Sequence, residues 1–278
     1  MINHCEKTVL ILGANGFIGS HLTEEILKKT SWHVLAFDLH DFNLQQIENE
    51  SRFSFKKGNI FEDREWIEQA IQKSDVVLPL IAIANPSMYV KAPLKVFELD
   101  FEANLQIVRL CVAHKKRIIF PSTSEVYGMS PDQSFDEEKS NFVQGPINRS
   151  RWIYSCSKQL LDRVIAAYGE QEGLAYTIFR PFNFMGPRLD RLDQTGSGAS
   201  RAFTQFIANI MRGEVINLVD GGKQRRCYIY IDDAIAALIK IIENPEQKAA
   251  QRIFNIGNPE NNISMCELVH LIAEEMSH

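Results

Sequence analysis

The 278-residue sequence predicts an α/β protein: a doubly wound parallel sheet with helices on both faces and a smaller C-terminal lobe. Three observations carry that prediction. Short β-rich apolar runs alternate with segments of helical period as far as Arg180, the first run ends in a glycine-rich turn that enters a helix, and the alternation loosens from Asn183 onward. Residues 8–12 form the first strand and 18–27 the first helix. Residues 32–37 give the next strand, 66–71 a helix, 75–83 a strand and 96–114 a long helix. Residues 117–120 form a strand that ends in Pro121-Ser122-Thr123-Ser124-Glu125. A second strong helix covers 154–168, and a strand over 175–180 follows it. Beyond it, Pro187, the Gly- and Ser-rich stretch 194–200 and the Gly221-Gly222 pair interrupt the pattern before a last helix over 264–276. Residues 1–182 are therefore expected to form the cofactor-binding domain, and 183–278 a substrate-binding lobe interleaved with it.

A formal charge of -5 argues against a nucleic-acid partner, since such proteins concentrate cations to neutralise phosphates. The five cysteines are odd in number, scattered and without CxxC pairs, which fits a reduced compartment and no metal site. The apolar run 76–84 is too short to span a bilayer and contains Pro79, and no leader pattern is present. A soluble cytoplasmic protein with no membrane partner is expected.

The turn Gly13-Ala14-Asn15-Gly16-Phe17-Ile18-Gly19 has GxxGxxG spacing between a strand and a helix. Glycines there allow the tight turn, close approach to a pyrophosphate and close packing of helix on strand, and the helix N-terminus favours the anion. Asp38, at the end of the second strand, is placed to bind the adenosine ribose hydroxyls and to repel a 2′-phosphate, so a Rossmann-type site for NAD is favoured over NADP. Farther along, Tyr154 and Lys158 are four apart and share a helix face. A cation beside a phenol is expected to lower its pKa toward the range of an acid/base catalyst. Glu125 follows a strand built for burial, where a carboxylate is costly unless paired or chemically employed.

With GANGFIG, PSTSEVYG, YSCSK, FRPFNFMGPR and GGKQRRCYIYIDD in that order, the sequence resembles the extended short-chain dehydrogenase/reductase family, whose members act on nucleotide sugars. The runs PLIAIA, FELDFEANL and RWIYSCSKQLLDR are most similar to the UDP-glucuronic acid decarboxylases. Among these, they resemble the dehydrogenase/decarboxylase half of the bifunctional polymyxin-resistance enzyme acting in lipid A modification. The resemblance implies NAD-dependent oxidation of UDP-glucuronate at carbon 4 and loss of carbon dioxide. The product is then a UDP-4-keto-pentose with release of NADH, or UDP-xylose if hydride returns.

The resemblance also implies roles for individual residues. Thr123, Ser124, Glu125, Tyr154 and Lys158 are the expected catalytic group. Gly13, Asn15, Gly16, Phe17, Ile18, Gly19, Asp38, Asn59, Ile60, Ala82 and Pro181, together with Tyr154 and Lys158, are the expected NAD contacts. Ala84, Tyr89, Arg151, Asn183, Arg201 and Arg226, with Thr123 and Ser124, are expected to hold the UDP-sugar. Arg180, Arg188, Arg201, Arg225 and Arg226 are expected to give the lesser lobe a positive bias.

Departures from the family pattern are informative. Ser124 stands where related dehydratases carry an Asp that protonates a leaving hydroxyl, which suits a reaction that expels carbon dioxide instead. Asn59 replaces a common Asp, and an amide still suits adenine because it donates and accepts. The decarboxylases draw a catalytic arginine and a substrate tyrosine from residues that would follow His278. A UDP-sugar 4-epimerase, usually lacking the Glu, is the alternative enzyme. A catalytically silent NAD-binding protein is the alternative of another class, and the intact Thr123, Tyr154 and Lys158 set speaks against it. Family members often form homodimers through a four-helix bundle, here built from helices 96–114 and 154–168.

Overall fold

Strand β1 (Thr8–Leu12) shows how this sequence makes two cores from one sheet. Successive side chains of a strand point to opposite faces, and all of Val9, Leu10, Ile11 and Leu12 are fully buried. Val9 and Ile11 pack with Leu22 and Ile26 of α1 (Phe17–Lys29) and with Ile235, Leu238 and Ile242 of the later helix α8 (Ile231–Glu243). Leu10 and Leu12 face Ile67 and Ile71 of α2 (Arg64–Lys73), Ile107 and Val108 of α5 (Asn104–Ala113), and Leu161 and Ile165 of α6 (Ile153–Glu172). Burial of each such side chain contributes about 1.5–3 kcal/mol. The computed structural model describes residues 6–190, 192 and 200–277, so Cys5 and the stretch 194–199 lie outside the described residues.

The remaining strands of this sheet are β2 (His33–Asp38), β3 (Phe53–Lys57), β4 (Val76–Pro79), β5 (Arg117–Pro121), β6 (Tyr176–Pro181) and β9 (Arg252–Ile256). Their order is β3-β2-β1-β4-β5-β6-β9 and every neighbouring pair is parallel. The doubly wound parallel sheet read from the sequence is therefore the fold. The order reverses between β1 and β4, and in such sheets ligands bind at the carboxyl ends of the strands beside that point.

Some boundaries differ from the sequence reading. The strand expected over 75–83 stops at Pro79, and the chain beyond it is a loop. The helix expected over 96–114 begins earlier, as α4 (Pro93–Phe97), passes through a widened π-helical turn at Glu98–Ala103 and continues as α5. Pro93 at the first turn suits a helix start, where an N–H has no partner anyway. Helix α6 runs to Glu172 and ends at Gly173, whose φ of 72° supplies the left-handed cap. A short helix α3 (Pro86–Lys91) precedes α4.

Strand β3 was not foreseen, because Phe-Ser-Phe-Lys-Lys has only two apolar residues at the sheet edge and the reading rested on continuous apolar runs. Residues past 183 also return to the main sheet: β9 pairs with β6, and α8 covers β1 beside α1. A second, three-stranded sheet joins β7 (Asn183–Met185), β8 (Arg225–Tyr230) and β10 (Asn262–Ser264) in the order β10-β8-β7. Its core is Phe206 of α7 (Ala202–Arg212), Tyr228, and Met265, Leu268 and Ile272 of α9 (Met265–Glu275).

Candidate active site

The glycine-rich turn leaves β1 where the strand order reverses. Gly13 has a φ of 91°, open mainly to glycine, and a Cβ there would lie 2.9 Å from the carbonyl carbon of Leu80. At Gly19 a Cβ would lie 2.3 Å from the Gly13 carbonyl oxygen, so α1 packs against the turn itself. Gly16 caps α1 with no side chain over the first N–H groups, and Phe17 and Ile18 open the helix half-buried.

Buried Asn15 ties the turn to its surroundings. Its N–H donates to Asp38 Oδ2 at 3.0 Å, and its Oδ1 accepts the Asn43 N–H at 2.7 Å. Asp38 Oδ1 accepts the His40 N–H at 3.2 Å. Burial pushes this carboxyl above the usual carboxylate range, with backbone N–H groups acting against it. Asn59 spends its side chain locally, accepting the Phe61 N–H at 3.1 Å and donating to Glu62 Oε1 at 2.9 Å. Ile60 lines a cleft of about 420 Å³ between α2 and α5. In the loop after β4, Ala82 is half-buried, while the exposed Ala84 offers its carbonyl to Arg201 Nη2 at 3.4 Å.

Strand β5 delivers the opposite wall. Thr123 continues in extended conformation, then residues 124–127 make one tight helical turn capped by Thr123 Oγ1, which accepts the Glu125 N–H at 3.2 Å. That turn swings Ser124 and Glu125 out of the sheet core to half-buried positions. Glu125 Oε2 lies 3.4 Å from Arg151 Nη2. Burial raises the Glu125 carboxyl, and the Arg151 and Arg226 cations oppose the rise. The carboxylate of the sequence motif is therefore paired, as its position demanded.

Helix α6 supplies Tyr154 and Lys158. Tyr154 stacks face to face on buried Tyr89 of α3, with ring centroids 4.7 Å apart and planes 9° from parallel. Lys158 is buried, 4.8 Å above the Phe120 ring, and its Nζ has no hydrogen-bond partner. Asp100 Oδ1 lies 3.7 Å from that nitrogen.

The phenol differs from the sequence expectation. Burial, then the charges of Asp100 and Glu125, push Tyr154 above its ordinary value, against a hydrogen bond with the Thr123 hydroxyl and the Arg201 charge. The Lys158 ammonium stands 3.7 Å from the buried Asp100 carboxyl, whose charge reaches the phenol and raises it.

The expected positive bias of the lesser lobe is largely neutralised. Arg180 pairs with Asp162 at 3.3 Å, Arg188 with Glu24 at 2.7 Å, Arg201 with Asp190 at 2.8 Å and Arg225 with Glu267 at 3.2 Å. Arg226 is exposed and acts on Glu125. Asn183 donates to the Cys227 carbonyl at 3.0 Å, which locks β7 to β8, and Pro181 ends β6. Sequence reading missed Asp100 and Asn104. Their signal was present as an acid and an amide four apart on the face that also carries Val96, Ala103 and Ile107, all buried.

These residues fit a dinucleotide. The turn places backbone N–H groups at the start of α1, Asp38 stands at the end of the neighbouring strand, and an unpartnered buried ammonium, Lys158, lies one helical turn along α6 from Tyr154.

A family model described as the NAD dependent epimerase/dehydratase family matches residues 9–257. Among solved structures, the PbgP3 protein from Burkholderia pseudomallei is 54% identical with a TM-score of 0.90, the alignment covering 98% of this chain and 80% of that one. UDP-glucuronic acid 4-epimerase from Bacillus cereus, in complex with UDP-glucuronic acid and NAD, is 26% identical with a TM-score of 0.82, covering 98% and 83%. The dTDP-glucose 4,6-dehydratase from Bacillus anthracis str. Ames, 20% identical with a TM-score of 0.79 over 98% and 81%, shares the fold.

Proposed function

The chain belongs to the NAD dependent epimerase/dehydratase family, and from that premise we propose that it is an NAD-dependent decarboxylase of UDP-glucuronic acid. The observation that carries the reading is Glu125, a half-buried carboxyl paired with Arg151, within the influence of the Arg226 charge and itself acting on the ionisation of the Tyr154 phenol. Oxidation at carbon 4 alone needs no such group, whereas reprotonation of carbon 5 after loss of carbon dioxide does. The similarity to an epimerase that holds UDP-glucuronic acid and NAD supports a UDP-hexuronate as substrate.

NAD, when bound, supplies the hydride acceptor. The 13–19 turn, Asp38, Asn59, Ile60, Ala82 and Pro181 would hold it, and Lys158 would donate to its ribose. Tyr154 takes the proton of the sugar 4-hydroxyl while Thr123 hydrogen-bonds the same oxygen. The resulting ketone is β to the hexuronate carboxylate. The bond from carbon 5 to carbon 6 then breaks, and its electron pair passes to the 4-oxygen, where the Tyr154 and Thr123 hydroxyls stabilise the enolate. Carbon dioxide leaves, and Glu125 with Ser124 delivers a proton to carbon 5. Burial raises the Glu125 carboxyl against the Arg151 and Arg226 cations, the direction that favours its holding a proton.

Arg151 and Arg226 match the planar forks that bind carboxylate and diphosphate, with Ala84, Tyr89, Asn183 and Arg201 completing the sugar site. A cytoplasmic homodimer joined through the 93–113 helical run and α6 completes the proposal, with residues 1–182 as cofactor domain and 183–278 as a substrate lobe interleaved with it through α8 and β9. Its place is then beside the dehydrogenase/decarboxylase half of the polymyxin-resistance enzyme. Among the described residues no helix is long and apolar enough to cross a membrane.

The 26% identity to a UDP-glucuronic acid 4-epimerase favours a second reading, a UDP-sugar 4-epimerase that uses Tyr154 and Lys158 without breaking a carbon–carbon bond. Incubation with NAD and UDP-glucuronic acid, following carbon dioxide, NADH absorbance and the sugar product by NMR, separates the two. Carbon dioxide with NADH indicates the keto-pentose, carbon dioxide without NADH indicates UDP-xylose, and UDP-galacturonic acid without carbon dioxide overturns the decarboxylase.

A further inference from the structure

Asp100 sits fully buried in the π-helical turn between α4 and α5, where an ionised carboxyl is costly unless it is paired. Its Oδ2 accepts the Ile83 N–H at 2.9 Å. Its Oδ1 has no hydrogen-bond partner and lies 3.7 Å from Lys158 Nζ, which also has none. That separation is too long for a hydrogen bond and short enough for a strong charge interaction out of water. One helical turn on, buried Asn104 donates to the Leu99 carbonyl at 2.9 Å and the Ile81 carbonyl at 3.2 Å. The widened turn therefore grips the loop after β4 at two points, Ile81 and Ile83, on either side of Ala82.

We propose that Asp100 is a positioning residue: its carboxylate keeps Lys158 charged and aimed into the cofactor site, and ties that ammonium to the loop that leaves β4. The proposal rests on the NAD site and is independent of which sugar is transformed. Other groups around the ammonium do not replace Asp100. Asp162, one turn along α6, acts on Lys158 less than Asp100 does: its Oδ2 accepts from Ser122 Oγ at 2.8 Å and pairs with Arg180 of β6 at 3.3 Å, while its Oδ1 has no hydrogen-bond partner. Tyr154, one turn back, is held by Tyr89 from α3 and Thr123 just beyond β5, with Glu125 and Arg151 farther out. Phe120 presents only a ring. Burial lowers the lysine, and Asp100 is the largest influence that holds it up.

Calorimetric titration of the purified protein with NAD, from about pH 6 to 9, tests this without any sugar. Asp100→Asn keeps an acceptor for the Ile83 N–H and removes the charge. The alkaline fall in NAD affinity then moves to lower pH by about 1–3 units, the usual effect of losing an opposite charge at this range. Near the alkaline end the variant binds NAD about 10- to 100-fold more weakly than wild type, the loss of a charge-assisted hydrogen bond, and near the acid end it matches wild type. In a Lys158→Met background, Asp100→Asn changes NAD affinity no further, and thermal unfolding finds the double variant more stable than either single one. A loss of affinity that is equal at every pH, additive losses in the double variant, or an unchanged titration in Asp100→Asn overturns the proposal. If Asp100→Asn alone does not fold, recovery of folding in the double variant supports the pairing, and failure of both to fold overturns it.

Discussion

Replacing Gly19 by alanine tests the packing beneath the dinucleotide turn. The new Cβ would sit 2.3 Å from the Gly13 carbonyl oxygen and 2.8 Å from Ala14 Cα. Ordinary contacts of a carbon atom are about 3.5 Å, so helix and turn must part by roughly 1 Å. The obstructing atoms are backbone and cannot rotate away. Gly13 and Ala14 also donate their N–H groups to the Phe37 carbonyl at 2.8 and 3.1 Å, which anchors the turn to β2. Overpacking costs about 1–3 kcal/mol, and an immovable neighbour puts this case near ~3 kcal/mol. For a chain of this size that corresponds to a fall in Tm of about 6–12 °C. The same displacement carries the first N–H groups of α1 away from the pyrophosphate, so NAD affinity falls about tenfold or more. Differential scanning fluorimetry and calorimetric titration with NAD read the two effects. Gly173→Ala is the control: its φ is 72° and nothing lies within 4 Å of a Cβ there, so it costs only the left-handed strain, ~1 kcal/mol, and leaves NAD binding unchanged. A Gly19→Ala protein that melts with the wild type and binds NAD normally would refute the reasoning.

Two further outcomes follow from the site. Tyr154→Phe keeps the ring that stacks on Tyr89, so thermal stability is retained while the rate of carbon 4 oxidation, read as the first-turnover absorbance change, falls about 10²–10⁴-fold. Arg180→Met removes the partner of buried Asp162 and destabilises the protein by about 3–5 kcal/mol in denaturant unfolding. Burial already raises the Asp162 carboxyl to about 6, above its ordinary range. Its contribution to stability is therefore full below the ordinary value and lost as pH rises through the folded one. Without Arg180 that folded value climbs further, so the deficit of the variant is larger at about pH 8 than at about pH 5.

The local parts of this protein were legible in the sequence, and the through-space parts were not. The 13–19 turn could be read because its strand, glycines and helix are contiguous, and the Tyr154–Lys158 pair because helical spacing alone puts both on one face. Glu125 was legible as an anomaly, an acid at the end of an apolar strand, although its pairing with Arg151 needed the fold. Asp100 was not found, since nothing in FELDFEANL says that the acid meets Lys158 across two elements. The arginines misled for the same reason: Glu24, on the first helix, neutralises Arg188 from the far end of the chain. Strand β9 and helix α8 carry apolar patterns, but a pattern does not name its partner, so their return to β6 and α1 appeared only in the folded chain. The raised phenol of Tyr154 was also beyond the sequence, because its sign depends on burial and on Asp100.

The central claim is that Glu125 works at carbon 5 of a hexuronate oxidised by way of Tyr154. Its most direct test is a single turnover of Glu125→Gln with NAD and UDP-glucuronic acid labelled with carbon-13 at carbon 6. The account predicts reduction of NAD and release of labelled carbon dioxide at the wild-type rate, with protonation of carbon 5, read by NMR as formation of the UDP-4-keto-pentose, about 10²–10⁴-fold slower. Keto-pentose formed by the variant as fast as by the wild type would contradict it.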